Sequence, residues 1–270
     1  MAHAEPYDIN ALQINPGLVL DACKERVACA ACGKKVKFFC YYCCAAVSGL
    51  EGRVPCIQLP FKLDVVKHVK ELDGKSTALH AKIIAPDDVE IITYSTGCLD
   101  SVDAQRTALL FPGPDAVDIA SMDSTRFDRV VVIDGTWSQA KGMVRDSSQL
   151  QQMQKVTIKP RQTRFWRYQS LDRSYLATIE AIYFLYRDSV GDKYDGEYDA
   201  LMFFYKYFYD YIQSEYAATP GRQFTRKHQQ GYIAYETVAP SPAPRSAGRD
   251  TGSKANYDFD DLELDGVFGE

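Results

Sequence analysis

Two groups of residues in this chain are spaced for chemistry. The first is a pair of Cys-x2-Cys steps, Cys29/Cys32 and Cys40/Cys43. The seven residues between them include Gly33 and three lysines. Four thiolates so placed can surround a tetrahedral Zn2+ at about 2.3 Å each, and an all-cysteine set leaves no open position, so the role is structural. Cys44 can stand in for Cys43, and ordinary buried cysteines are the alternative to a metal site. The second group is Asp134-Gly135-Thr136-Trp137, which follows the run Arg129-Val-Val-Val-Ile133. That run is short, β-branched and bounded by polar residues, as a buried strand requires. Chemistry in α/β proteins gathers where parallel strands end. Here a carboxylate, a backbone open to close approach and a broad aromatic face arrive at one such end. A helix N-cap with the tryptophan in the core is the plainer reading.

The elements around these groups alternate. Strand patterns cover Ile57–Val66, Leu79–Ile84, Glu90–Tyr94, Ala108–Phe111, Val130–Ile133 and Lys155–Ile158. Helical patterns cover Ser138–Arg145, Leu176–Arg187 and Tyr194–Tyr216. Alternation of this kind predicts an α/β fold with a mostly parallel sheet and flanking helices, preceded by an N-terminal zinc knuckle. The expected divisions are a lead (1–22), the Cys-rich knuckle (23–55), a main domain (56–237) and a tail (238–270). The tail is rich in Pro, Ser, Gly and charge, and such a composition cannot bury enough apolar surface to order itself.

Further polar segments accompany these motifs. Leu109-Leu-Phe111-Pro112-Gly113-Pro-Asp115 is a strand ending in a turn, where proline fixes φ and glycine admits a ligand to the backbone. Thr178-Ile-Glu180-Ala opens a helical pattern, and a hydroxyl and a carboxylate there can serve as a cap. Asp73-Gly-Lys-Ser-Thr77 looks like part of a phosphate loop, but it lacks the first glycine and precedes a strand pattern, so an ATP-binding loop is rejected.

The formal net charge is −5, yet the tail alone holds seven acids against three bases. Bases are clustered elsewhere. Lys155, Lys159, Arg161, Arg164, Arg167 and Arg173 fall within nineteen residues against one acid, Asp172. Phe165 and Trp166 sit among them. Such a stretch suits an RNA backbone, with an aromatic ring free to stack an unpaired base; a solvated basic loop is the alternative. No apolar run approaches the roughly 20 residues of a membrane span, and no secretory leader is visible. We therefore expect a soluble intracellular protein with reduced thiols, in which its eight cysteines need a purpose other than disulfides.

Taken in order, Leu110-Phe-Pro-Gly-Pro, Val132-Ile-Asp134-Gly-Thr-Trp137 and Ala177-Thr-Ile-Glu180-Ala resemble the motifs of the DTW-domain family, the tRNA-uridine aminocarboxypropyltransferases. The cysteine knuckle, Asp73–Lys82 and Phe165-Trp166-Arg167 are similar to one eukaryotic branch of it. The resemblance covers roughly residues 25–215. It departs at Ala177, where the family usually has serine, in a short segment between Pro114 and Asp134, and in the acidic tail.

The resemblance implies a reaction. S-adenosylmethionine donates its 3-amino-3-carboxypropyl group to N3 of a D-loop uridine of tRNA, at position 20, and methylthioadenosine leaves. It also implies a SPOUT-like fold, whose cofactor lies in a knotted α/β subdomain, and residence in the nucleus. Asp134 then acts as base or orienting group, with Trp137 beside it in the catalytic set. Phe111, Pro112, Gly113, Gly135, Thr136, Thr178 and Glu180 hold the donor, with Glu180 on its ammonium or capping a helix. Lys159, Arg161, Arg164, Trp166 and Arg167 meet the RNA, and Cys29, Cys32, Cys40 and Cys43 hold structural zinc. Methyl transfer from the same donor, and a zinc-bearing RNA-binding module without catalysis, are the rival readings.

Overall fold

A computed structural model describes residues 4–166 and 172–218. Arg167 and the acidic tail at 238–270 lie outside the described residues. Six parallel strands form the central sheet: β1 (Lys62–Lys67), β2 (Val89–Thr93), β3 (Thr107–Leu110), β4 (Val117–Asp118), β5 (Arg129–Asp134) and β6 (Gln154–Thr157). Their order is β2-β1-β5-β3-β6-β4. The most β-branched strand, β5, lies inside the sheet, in register from Arg129 against Lys62 to Asp134 against Lys67. Its valines divide between two apolar layers. Val130 and Val132 face the larger core, and Val131 faces a smaller one with Leu109, Met143 and Leu150.

Helices cover both faces, as a parallel sheet requires. The smaller layer is closed by α2 (Trp137–Asp146) and α3 (Ser148–Gln152). The larger is closed by α1 (Leu79–Ile84), α4 (Thr178–Val190) and α5 (Phe203–Ala218). The expected helices at 138–145 and 176–187 form within a turn of those bounds.

Three expectations are corrected. Leu79–Ile84 is helix rather than strand. It lies between the adjacent parallel strands β1 and β2, and such a pair needs a crossover. The strand expected from Ile57 begins only at Lys62, after Pro60, which has no N–H to give a ladder. The long helix expected from Tyr194 starts at Phe203; short 3-10 turns at Gly191–Lys193 and Asp199–Met202 precede it.

The cysteine segment forms two small antiparallel hairpins, Val27–Ala28 with Lys35–Val36 and Phe39–Cys40 with Ala45–Ala46. It joins the main core. Phe38 meets Tyr207 and Phe208 of α5, and Phe39 meets Phe204 of α5 and His80 of α1.

Candidate active site

The carboxyl ends of β1, β3 and β5 converge on Asp134. Its side chain is only 3% exposed. One carboxylate oxygen accepts from the Ser76 hydroxyl at 2.7 Å, and the other from the Thr178 hydroxyl at 2.5 Å. Asp134 thus ties the end of β5 to the loop before α1 and to the first residue of α4. Burial pushes its pKa up; the hydrogen bonds from Thr178 and Ser76, and the charge of Lys67, pull it back down. Lys67, next to Asp134 across the β1–β5 ladder, is paired with Asp73.

After Asp134 the chain turns sharply into α2. A Cβ at Gly135 would lie 3.0 Å from the Gln139 amide oxygen and 3.1 Å from His68, so only glycine fits without displacing them. Thr136 caps α2: its hydroxyl accepts from Gln139 N–H, and Gln139 Oε1 accepts from Thr136 N–H at 2.7 Å. The N-cap part of the plainer reading therefore holds, but the tryptophan is not in the core: Trp137 is half-buried at the edge of the sheet. There the indole meets Phe111 (centroids 5.6 Å apart) and Tyr175 (5.3 Å). All three rings are partly exposed. Pro112 and Gly113, exposed, leave the end of β3 on the same edge, with the Lys155 side chain against Gly113. A half-open aromatic wall, glycine turns and hydroxyls on one edge can hold a flat ring and polar substituents.

Glu180 stands apart from this edge. It is 0% exposed. Its carboxylate accepts from the Tyr7 hydroxyl (2.6 Å), the backbone N–H groups of Arg164 and Ala177 (2.8 Å each) and the Thr163 hydroxyl. Four donors leave no place for a ligand's ammonium, so the expectation that Glu180 binds the donor is corrected: it caps α4 and anchors the N-terminal lead. Thr77 supplies what Ala177 lacks. Its hydroxyl accepts from Ile179 N–H at 3.1 Å, capping α4 from another segment.

The basic segment is also corrected in part. Arg161 forms a buried ion pair with Asp188 and lies 3.9 Å from the Phe184 ring centre. Arg164 donates to the Tyr7 carbonyl. Trp166, 5% exposed, packs against Tyr205 and Phe208. The two arginines are engaged within the fold, and the buried Trp166 presents no open face to a base. Lys159 is exposed and remains at the surface. Residue-type reasoning saw charge and aromaticity here but not the partners, Asp188 and α5, that bury them. It set Ser76 and Thr77 aside as part of a rejected phosphate loop, and it passed over Tyr175. The adjacent hydroxyls at 76–77 were a signal; nothing local marks Tyr175.

The Sγ atoms of Cys29, Cys32, Cys40 and Cys43 all lie within 4.8 Å of one another, and Cys32 and Cys40 are 3.5 Å apart. A tetrahedron of bonds near 2.3 Å puts sulfurs about 3.8 Å apart, so the four fit a zinc ion. Backbone N–H groups of Cys32 and Ala31 draw the Cys29 thiol down to about 7. Cys44 is not in this set. It has a left-handed backbone, φ 49°, as does Gly33 with φ 71°. Each follows the first cysteine of its knuckle by four residues, so Cys44 fills the turn position that Gly33 fills in the first.

A DTW domain is matched over residues 37–213, about two thirds of the chain. The chain belongs to the DTW-domain family. It is 35% identical over 239 residues to a Mus musculus protein named tRNA-uridine aminocarboxypropyltransferase 1, covering 70% of this chain and 78% of that one. It is 32% identical over 239 residues to the Homo sapiens protein of the same name, with the same coverage. A Xenopus laevis relative of that name is 32% identical over 252 residues, covering 74% of this chain and 86% of its own. No solved structure matches. In this DTW domain Phe111–Gly113, Asp134–Trp137 and Thr178, one from each motif that carries the resemblance, lie on the edge built around Asp134. No helix among the described residues is long and apolar enough to cross a membrane.

Proposed function

We propose that this protein is a tRNA-uridine aminocarboxypropyltransferase that modifies N3 of a D-loop uridine, position 20, with S-adenosylmethionine as donor. The observation that carries this reading is the convergence of separate family motifs on Asp134, through Thr178, beside the Phe111–Trp137–Tyr175 wall. The relatives' printed names give the transferred group and the acceptor base. A SPOUT-like arrangement fits the strand order, in which β5 returns between β1 and β3, and β6 between β3 and β4. Residence in the nucleus, expected from the branch the chain resembles, and zinc in the four-cysteine cluster are part of this reading.

The donor supplies a sulfonium, whose S–C bond to the methionine chain breaks as the uridine N3–C bond forms. The bonding pair returns to sulfur, giving neutral methylthioadenosine, and the N3 proton passes to solvent or base. Asp134 acts here as a positioning residue: buried and accepting two hydroxyls, it fixes Ser76 and Thr178 rather than meeting the uridine. Trp137 with Phe111 and Tyr175 receives a flat ring, and the turns at Pro112-Gly113 and Gly135-Thr136 let the donor approach the backbone. The donor has three carbons open to attack at sulfur, so the main task is alignment, which can lower a barrier by about 7–11 kcal/mol. These residues sit on strand ends and helix starts, the rigid parts suited to it.

The test is mass spectrometry of a reaction of purified protein, unmodified tRNA and S-adenosylmethionine. Methylthioadenosine and 3-(3-amino-3-carboxypropyl)uridine are expected. S-adenosylhomocysteine would assign methyl transfer instead. No product with tRNA binding intact would leave a binding module.

A further inference from the structure

The bases expected to meet RNA at 159–166 are largely engaged internally, which raises the question of where a polyanion could be held. The knuckle offers an answer. Between Asp21 and Cys56 there are six bases against three acids, although the chain as a whole is acidic. Lys24, Lys34 and Lys35 are exposed and form no ion pair among the described residues. Tyr42 is 48% exposed, unlike its neighbours Phe38, Phe39 and Tyr41, which are buried. The Lys34 ammonium lies 3.2 Å from the centre of the Tyr42 ring. An exposed ring with a cation over one face, on a segment that carries further exposed lysines, has the make-up of a single-stranded nucleic-acid platform: the ring stacks a base and the ammoniums neutralise phosphates.

Its location suits the substrate. The same hairpin puts Phe39 against His80, centroids 5.5 Å apart. His80 lies four residues beyond Ser76, which donates to Asp134. The hairpin that carries Tyr42 therefore packs on α1, the helix that follows Ser76.

We propose that the zinc knuckle is an RNA-docking surface, in which Tyr42 stacks an unpaired base and Lys24, Lys34 and Lys35 contact the backbone of the tRNA substrate. The proposal rests on the tRNA reading above. The metal ligands shape the surface and take no part in contact.

The experiment uses the full chain with its zinc, a fluorescently labelled unmodified tRNA, and anisotropy titrations over a range of KCl. Two variants are compared with the parent: Lys24→Gln/Lys34→Gln/Lys35→Gln, and Tyr42→Ala. Zinc content and thermal unfolding, expected unchanged, verify folding, and calorimetry with S-adenosylmethionine verifies the donor site. In the triple variant the slope of log K against log salt should shrink by about two to three, since each phosphate contact adds about 0.7–0.9. In Tyr42→Ala, tRNA affinity should fall about 5- to 150-fold, the loss expected for one stacked base. Unchanged affinity and slope in both variants would overturn the proposal. Knuckle-dependent tRNA binding without product in the parent would retire the transferase reading and leave this one standing. Product formation with unchanged binding in the variants would do the reverse.

Discussion

Ser76 donates to Asp134 at 2.7 Å, joining a loop and a strand end that lie 58 positions apart in the sequence. With Thr178 on the other oxygen, the carboxylate holds three segments in one geometry. In Asp134→Ala both hydroxyls lose their acceptor. At about 1–3 kcal/mol for each group left unsatisfied, we expect a loss of about 2–6 kcal/mol in stability and at least a hundredfold loss in turnover. Denaturant unfolding and single-turnover rates check this. Ser76→Ala should lower turnover by the same route while leaving Asp134 in place.

The raised pKa of Asp134 gives a pH signature. A carboxyl whose folded pKa exceeds its unfolded value, about 3.9, binds protons more tightly when folded. Its contribution to stability is therefore greatest in acid and declines as pH rises from the unfolded pKa to the folded one, then stays flat. Asp134→Asn removes this slope. The difference in unfolding free energy between parent and variant, followed by thermal unfolding from pH 4 to 7, should show it; a difference that does not change with pH would refute it.

Glu180→Gln should act on stability and leave the donor site alone. The amide keeps one acceptor and turns an NH2 toward two of the four donors, which costs about 2–4 kcal/mol. The KM for S-adenosylmethionine in the folded fraction should stay within twofold of the parent. Tyr175→Ala should do the opposite, raising that KM by tenfold or more with little change in the unfolding midpoint. Steady-state kinetics beside unfolding curves separate the two.

Much of this was legible in residue types and spacing. The parallel sheet followed from runs such as Val130–Val132, and the four thiols from two Cys-x2-Cys steps. The chain order of Pro112-Gly113, Asp134–Trp137 and Thr178–Glu180 carried the resemblance. What stayed hidden was pairing at a distance. Nothing near Arg161 in sequence announces Asp188, and nothing near Glu180 announces Tyr7, 173 positions away. Local pattern reads period and type; whether a charge faces water or a partner is decided by the tertiary arrangement. Leu79–Ile84 failed for a related reason, because short apolar runs suit helix and strand alike.

Arg161→Ala tests the corrected role of the basic segment. Breaking a buried ion pair leaves the Asp188 charge uncompensated, at a cost of about 3–5 kcal/mol. Chemical unfolding should report that loss, while the folded protein binds tRNA with affinity within threefold of the parent. A large fall in tRNA affinity without loss of stability would restore Arg161 as an RNA contact.

The two knuckles differ at one turn, and that difference is testable. Cys44→Gly relieves a left-handed non-glycine residue and should raise stability by up to about 1 kcal/mol, with zinc stoichiometry unchanged. Cys43→Ser should lower zinc content and the unfolding midpoint together. Elemental analysis and calorimetry distinguish these outcomes.

The edge-on and tilted packing of Phe38 and Phe39 against α5 has a practical consequence. A chain begun at Cys56 would uncover Phe204, Phe208 and the imidazole of His80, which now lie against the knuckle. Such a fragment would keep the motifs at 110–114, 132–137 and 177–181 but lose residues 37–55 of the matched DTW domain, and it would be expected to aggregate. With zinc in the four-cysteine cluster as proposed, a chelator should loosen the same contact. Tolerance of chelators would then depend on the aromatic seam as well as on the four sulfurs.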